Sequence, residues 1–572
     1  MSKRWKNLFS VKFFKLFIVG GIACVAWNVT SPAMAQTAFP SNAEQNCVLK
    51  HDEFVKLQKV PRLEMFAEDL GEFGDKIKKF NKKSFYDKAN GLVYIFPPDG
   101  PGFKSGAKHC EFYKWGSQMF LWLTSTLNDT VYTEKDAHKR KQKSPDAKTD
   151  FVFASEFLYE VAVDPNKRGG KIFKAQTITA KTGVPKPTNP ESTGQAGKIE
   201  GVLTSQNTNT ISKHSSLVYY GIHTNRLYGY FRNSQAPGST DNFPSRGYFP
   251  IHPLEKNNTA CELVKKGVLE EGTKLAAIPA LLLNIYCPLY GFKKAPDSKK
   301  GITLQQLEPA IDFLTMVLEL KTSWVEASSL KNPSKYILQM GNIPTYTGKG
   351  KLNGTKEVKL ALVGMHVVGT VENHPEMIWA TIEHVDNAPN QKYTYLNKKG
   401  KPTSSTPKNR EWLFSNGKEV ALNKEELYLN RGNITDSKGH PMNNIKTKFG
   451  KTNVKRIHPW GNDAGDPKAA EKSSLLISLN NSVMGLLKTT QSSDPRQYYF
   501  LSGAVWNKDG EIPTKKTKIS VSGSHKLANT TMETFQQKNG CFHCHQKSAA
   551  SDAGTSISHI FDSLSRTLPK NK

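Results

Sequence analysis

At 572 residues, with 79 Lys and Arg against 50 Asp and Glu, the chain carries a formal net charge of +29. It has room for two or three domains and a sizeable core. A basic balance of that size favours acidic partners through long-range attraction; nucleic acid is the habitual reading of such a charge, but an exported chain rarely meets it.

Lys3, Arg4, Lys6, Lys12 and Lys15 precede an apolar run from Leu16 to Trp27, and Ala33-Met34-Ala35 follows with small-x-small spacing. This order reads as a signal peptide over residues 1–35, cleaved after Ala35. The apolar run is short for a membrane span, and Gly21 argues against a lipoprotein site at Cys24. The expectation is a periplasmic protein whose membrane contact is peripheral at most; an uncleaved anchor is the alternative. Cleavage leaves 537 residues and removes five positive charges, for a net +24. The expected partners are an acidic redox protein or an anionic envelope surface, whereas the lysines of 135–148 read as a solvated face.

Four further cysteines precede the C-terminal region: Cys47, Cys110, Cys261 and Cys287. In an oxidising compartment they allow three disulfide connectivities, and proximity favours Cys47–Cys110 with Cys261–Cys287. Buried thiols are the alternative.

In chain order, Phe112 to Leu123 places apolar residues at 112, 115, 119, 122 and 123, mostly three and four apart, which predicts a core helix. Residues 131–150 form a charged loop. Runs rich in Val, Tyr, Phe and Ile then predict strands at 151–163, 198–204 and 216–231, with a loop over 182–198. Residues 260–285 and 303–313 look helical, and 316–326 looks like a strand. The most regular alternation lies at 358–371 and 377–385, a hairpin turning at Glu372-Asn373-His374-Pro375. Residues 390–455 read as extended loops, 475–487 as a helix and 498–506 as a strand. No internal repeat is evident. The fold class is therefore α+β: a large mixed head over 36–520, in one or two lobes and with substantial antiparallel β, followed by a short helical tail over 521–572.

That tail carries Cys541-Phe542-His543-Cys544-His545. Cys-x-x-Cys-His is the attachment string of a c-type haem. Two thiols must reach one porphyrin edge while an imidazole reaches the iron, and positions i, i+3 and i+4 of a helical turn share a face. For 7 Cys and 15 His in a chain of this length, chance supplies the string roughly 0.002 times. A zinc knuckle from the same four side chains would crowd its ligands into five residues, unlike the separated pairs usual for zinc. A redox Cys-x-x-Cys lacks a surrounding βαβ pattern. One covalent haem c is expected, with Cys541 and Cys544 as thioether donors and His545 as proximal iron ligand.

Around the string, Thr530-Thr531-Met532-Glu533 has capping-box spacing and predicts a helix beginning there and ending at Gly540. Ile557, Ile560, Phe561, Leu564 and Leu568 predict a second, amphipathic one. Helix, attachment string and final helix resemble the skeleton of class I cytochromes c over residues 526–572. The chain departs from that family in having no methionine after Met532. The sixth iron position is open between His559, a head residue (Met365, Met377, His366 or His384) and no protein ligand.

In the head, His374 to His384 is dense in functional side chains. On a strand, Glu376, Ile378, Ala380, Ile382 and His384 share one face, and Met377, Trp379, Thr381, Glu383 and Val385 the other. Glu319, Lys321, His366, Glu376, Glu383 and His384 read either as a polar site beside the haem or as satisfied core and edge residues. The phrases Glu319-Leu320-Lys321-Thr322-Ser323-Trp324, His374-Pro375-Glu376-Met377-Ile378-Trp379, Tyr498-Tyr499-Phe500-Leu501 and Leu527-Ala528-Asn529-Thr530-Thr531 resemble exported bacterial cytochrome c family proteins over roughly residues 210–572. The resemblance implies haem binding and electron transfer. A phosphate-binding glycine loop, a Gly-x-Ser-x-Gly elbow and a His-Glu-x-x-His helix are all missing from the sequence, so nucleotide enzymes, serine hydrolases and zincins find no support. The functional expectation is a monohaem electron carrier. Its rivals are a haem-dependent oxidoreductase or peroxidase with a substrate pocket in the head, and a haem-based ligand sensor.

Overall fold

The computed structural model describes residues 39–51, 54, 109–124, 151, 153, 158–160, 176–177, 203–205, 215–225, 318–371, 374–405, 410–415, 427–430, 433–448, 453–462, 466–490, 492–508 and 520–545. Thirteen strands are described. They are β1 (Leu158–Glu160), β2 (Gln176–Thr177), β3 (Tyr219–Asn225), β4 (Leu318–Glu326), β5 (Leu338–Tyr346), β6 (Leu352–Val371), β7 (His374–His384), β8 (Tyr393–Leu396), β9 (Pro402–Ser405), β10 (Tyr428–Asn430), β11 (Asn433–Thr435), β12 (Tyr499–Asn507) and β13 (Val521–Gly523). Nine of them build one antiparallel sheet in the order β13-β12-β7-β6-β4-β3-β1-β2, with β5 pairing β6 beyond the end of β7. Two small hairpins, β8–β9 and β10–β11, stand apart. The fold is mixed and sheet-rich, as its composition implies.

The central strands are long because their sequences alternate or stay apolar without interruption. β12 is buried along its whole length. On β7, Ile378, Ala380 and Ile382 turn to one face, where α1 (His109–Leu123) and α2 (Ala469–Thr490) pack. Gly116 of α1 lies directly over Ala380 and Leu501, and Phe112 stacks on Trp506 with ring centroids 3.9 Å apart. The core helix expected at 112–123 is present, with its five periodic positions all buried. α2 also closes the β12 edge that β13 leaves open. The Asn480 amide donates to the Leu501 carbonyl at 2.9 Å and accepts the Leu501 N–H at 2.7 Å, as a neighbouring strand would.

A disulfide joins Cys47 to Cys110, with Cα atoms 5.5 Å apart. It ties the N-terminal segment to the start of α1, and the Cys47 N–H donates to Ser478 of α2. Cys261 and Cys287 lie outside the described residues, as do the helices expected at 260–285, 303–313 and 557–568, and His559.

Two expectations are corrected. His374 and Pro375 belong to β7, so the connection is only Glu372-Asn373. Between the pairs Gly369–Ile378 and Val371–His374, β7 carries two extra residues. The bulge leaves a place for a proline that cannot donate, and Met377 within it adopts φ 67°. The helix expected from Thr530 is a single turn, in which the N–H groups of Met532 and Glu533 donate to the Asn529 carbonyl. The reciprocal carboxylate bond runs from the Asn529 N–H to Glu533, and the chain then continues through turns to Gly540.

Candidate functional site

The second face of the sheet carries Trp379, Thr381 and Glu383 on β7, Gly364 and His366 on β6, and Lys321 and Ser323 on β4. A polar sheet face can be buried only if each group finds a partner. The segment 524–545 supplies them. The Asn529 amide donates to Thr381 Oγ1 at 2.9 Å and to the Ile382 carbonyl at 3.1 Å. Thr531 and Ser323 hydroxyls meet at 2.6 Å, and Tyr220 of β3 donates to the Thr531 carbonyl at 2.7 Å. Gly364 permits this approach: a methyl there would sit 2.6 Å from Thr531 Oγ1 and 2.7 Å from Ser323 Oγ. Met532 is fully buried in an apolar cluster with Val218, Tyr220, Val325, Val363 and Phe414.

Two carboxylates fasten the segment. Glu383, fully buried, accepts from Arg456 at 2.7 and 3.2 Å, from the Thr530 N–H at 3.2 Å, and from the hydroxyls of Thr530 and Ser502. Glu533 lies 3.0 Å from His366 Nε2 through both of its oxygens. Burial alone would raise the Glu533 pKa, but His366, Lys321 and the Asn529 N–H outweigh it and hold the carboxyl at about 2. Lys321 beneath it is pushed down by burial, against the pull of Glu533 and Glu319.

The six polar residues singled out in the head therefore do not form one site. His366, Lys321 and Glu533 gather on the tail face, and Glu383 pairs with Arg456. His384 lies on the opposite face, stacked on Tyr336 at 3.7 Å. Its Nε2 donates to the Lys335 carbonyl and its Nδ1 accepts the Asp386 N–H. Burial lowers its pKa to about 4, against the raising effects of Asp386 and the Lys335 carbonyl, so it is a satisfied neutral histidine. Met365 shares that helix-side face by its register with Ile382. Neither His384 nor Met365 is placed to serve an iron on the tail side, and His366 is held by Glu533. The side chain of Glu376 lies outside the described residues.

The attachment string follows directly. Cys541–Cys544 is one helical turn, here α3, with Gly540 as N-cap and the His545 N–H donating to the Cys541 carbonyl at 2.9 Å. Positions 541, 544 and 545 are thus i, i+3 and i+4 of one turn, the arrangement that two thioethers and an imidazole require. Gly540 is obligatory because a methyl there would lie 2.0 Å from the His525 carbonyl. Phe542 is buried and meets Trp379 edge-on at 6.3 Å, and the His545 ring lies 4.1 Å from the Trp379 ring, tilted by 42°. An open cleft of about 270 Å³ borders Cys541, lined by Val505, Val521, His525, Gly540, Phe542 and His543. The order of these residues and the single turn that carries them are those a covalent haem would require, while the cleft borders the first thiol and not His545.

Sequence reasoning did not find His525, Arg456 or Asn529. His525 lies sixteen residues before Cys541 with no spacing motif. Arg456 sits in a stretch read as loop, and the only signal for it was the need of a buried Glu383 for a cation. No family model matches this sequence, and neither a curated protein nor a solved structure shows similarity to it.

Proposed function

We propose that the chain is an exported c-type cytochrome carrying one covalent haem and passing single electrons. The observation that carries this reading is the Cys541-x-x-Cys544-His545 string on a helical turn docked against the sheet through Phe542 and His545. In it Cys541 and Cys544 hold the porphyrin edge, and His545 binds the iron from one side. The haem, when bound, supplies a one-electron couple. The chain supplies burial on the sheet side through Trp379 and Phe542, and that burial tunes the potential. The basic signal-like N-terminus supports export to the periplasm, where covalent haem is generally fitted.

An acidic redox partner fits the exposed lysines of the β5–β6 ribbon, Lys349, Lys351 and Lys359, which project past the end of β7. The cleft beside Cys541, lined by two histidines and open to solvent, favours a second reading in which a small ligand or substrate reaches the iron. The sixth ligand belongs to the same question, with His559 the candidate from the tail.

The test is maturation of the exported protein followed by mass and absorption measurements. The expected result is one porphyrin mass on the fragment containing residues 541–545, lost in C541A/C544A. Colourless material without that increment, or a tetrahedral zinc on the same residues, overturns the reading. Low-spin iron indifferent to cyanide and peroxide selects the carrier; high-spin iron that binds them quickly selects the second reading.

A further inference from the structure

We infer that Trp379 is a positioning residue for the His545 imidazole, so that the sheet helps to orient the ring offered to the iron. The inference rests on the haem reading above. α3 is a single turn, too short for cooperative helical stability, and His545 follows it at φ −93°, ψ 68°, already outside the helical region.

Trp379 is placed very differently. It sits on β7, with β6 and β12 hydrogen-bonded on either side, in register with Val368 and Val505. It is only 6% exposed. Phe542 abuts the indole at an interplanar angle of 78°, so the tail's own buried aromatic and the His545 ring engage one fixed surface. The indole lies against the imidazole ring at 4.1 Å, and an imidazole held at such a wall keeps its plane. Groups that fix the orientation of a ligating histidine commonly change metal affinity 10- to 100-fold when they are removed, roughly the scale expected here.

The experiment compares wild type, W379L, W379F and I378V as matured, haem-loaded full chains. Ile378 is a buried neighbour on the opposite face of the same strand, so I378V reports loss of packing alone. Covalent haem, counted by mass, is expected in all four. In W379L the oxidised-state electron paramagnetic resonance should change. The relative affinity of His545 for ferric over ferrous iron should shift about tenfold, read as about 59 mV in midpoint potential. W379F, which keeps a smaller ring, should shift less, and I378V should not shift.

If W379L does not fold, W379F carries the test. Haem-loaded W379L or W379F with the wild-type resonance and potential overturns the inference while leaving the haem reading standing. An equal shift in I378V overturns it as well. Wild-type protein without haem overturns the haem reading first and this inference with it.

Discussion

The two faces of the sheet are built on different principles. On the helix side, Ile378, Ala380, Ile382 and Leu501 meet α1 and α2 through apolar contact, which is non-directional and tolerates small shifts. On the tail side, Glu383, Thr381, His366 and Ser323 meet Thr530, Asn529, Glu533 and Thr531 through hydrogen bonds. A slip of one residue there would leave a buried carboxylate and amides unpaired. The apolar face makes the sheet stable. The polar face fixes the position of one particular segment, the one that delivers Cys541 and His545.

Breaking the tail-side lock should have the largest effect. E383A leaves the buried Arg456 guanidinium unpaired and strips Thr530 of its acceptor, and should cost about 3–5 kcal/mol in denaturant unfolding. Amide exchange over residues 529–545 should accelerate more than in the rest of the sheet. I382V on the helix side should cost only about 0.5–1.5 kcal/mol and leave that exchange pattern unchanged. Equal acceleration in both variants would erase the contrast.

Reducing the Cys47–Cys110 disulfide, which closes a loop of 63 residues, should cost about 4 kcal/mol on the loop-entropy account and should loosen α1 before the tail. Exchange of 109–123 against 529–545 decides the order.

Acid sharpens the comparison further, because the shifts that matter below pH 7 belong to histidines on the helix side and to Glu533 on the tail side. On the helix side His223 and His384 are buried neutral. Burial brings His223 to about 3, and neither of its ring nitrogens has a hydrogen-bond partner among the described residues. Both folded pKa values lie below the unfolded 6.5, so their neutral-state stability is complete above pH 6.5 and lost as pH falls toward about 4 and 3. Each should cost on the order of 3 kcal/mol by pH 4. On the tail side the depressed pKa of Glu533 gives stability that is present above about 4.5 and lost only as pH falls toward about 2. Exchange measured from pH 7 downward should therefore show the helix side failing first. A local effect is expected from N480A, which uncovers the β12 edge and should cost about 1–2 kcal/mol in unfolding.

The helix side was largely legible in the sequence. Phe112 to Leu123 and the strands expected over 316–326, 358–371, 377–385 and 498–506 follow their periodicity because each buries an apolar face. The assignment of Trp379, Thr381 and Glu383 to one face of β7 also held, since strand alternation is a rule of backbone geometry. The tail side was less legible, because its partners are polar and distant. The capping pattern at Thr530 correctly placed a turn, but Glu533 is drawn to His366 and the helix stops. Pro375 was read as a turn residue because a bulge leaves no signature beyond the proline itself. His384 was open between a site residue and a satisfied core residue, and nothing in its neighbours foretold the ring of Tyr336, 48 positions earlier, that settles it as core.

The bond from Tyr220 to Thr531 spans 311 positions, and those from Asn529 to Thr381 span 148. Closing such loops is entropically slow, so the C-terminal segment settles on the sheet late in folding. During such an interval the two thiols of the string are expected to stand clear of the rest of the molecule. Timed alkylation of Cys541 during refolding should find it open until after the Cys47–Cys110 pair has closed; early protection would show the reverse order. The long reach that holds the tail so firmly at the end would also leave its cysteines accessible to haem attachment at the beginning.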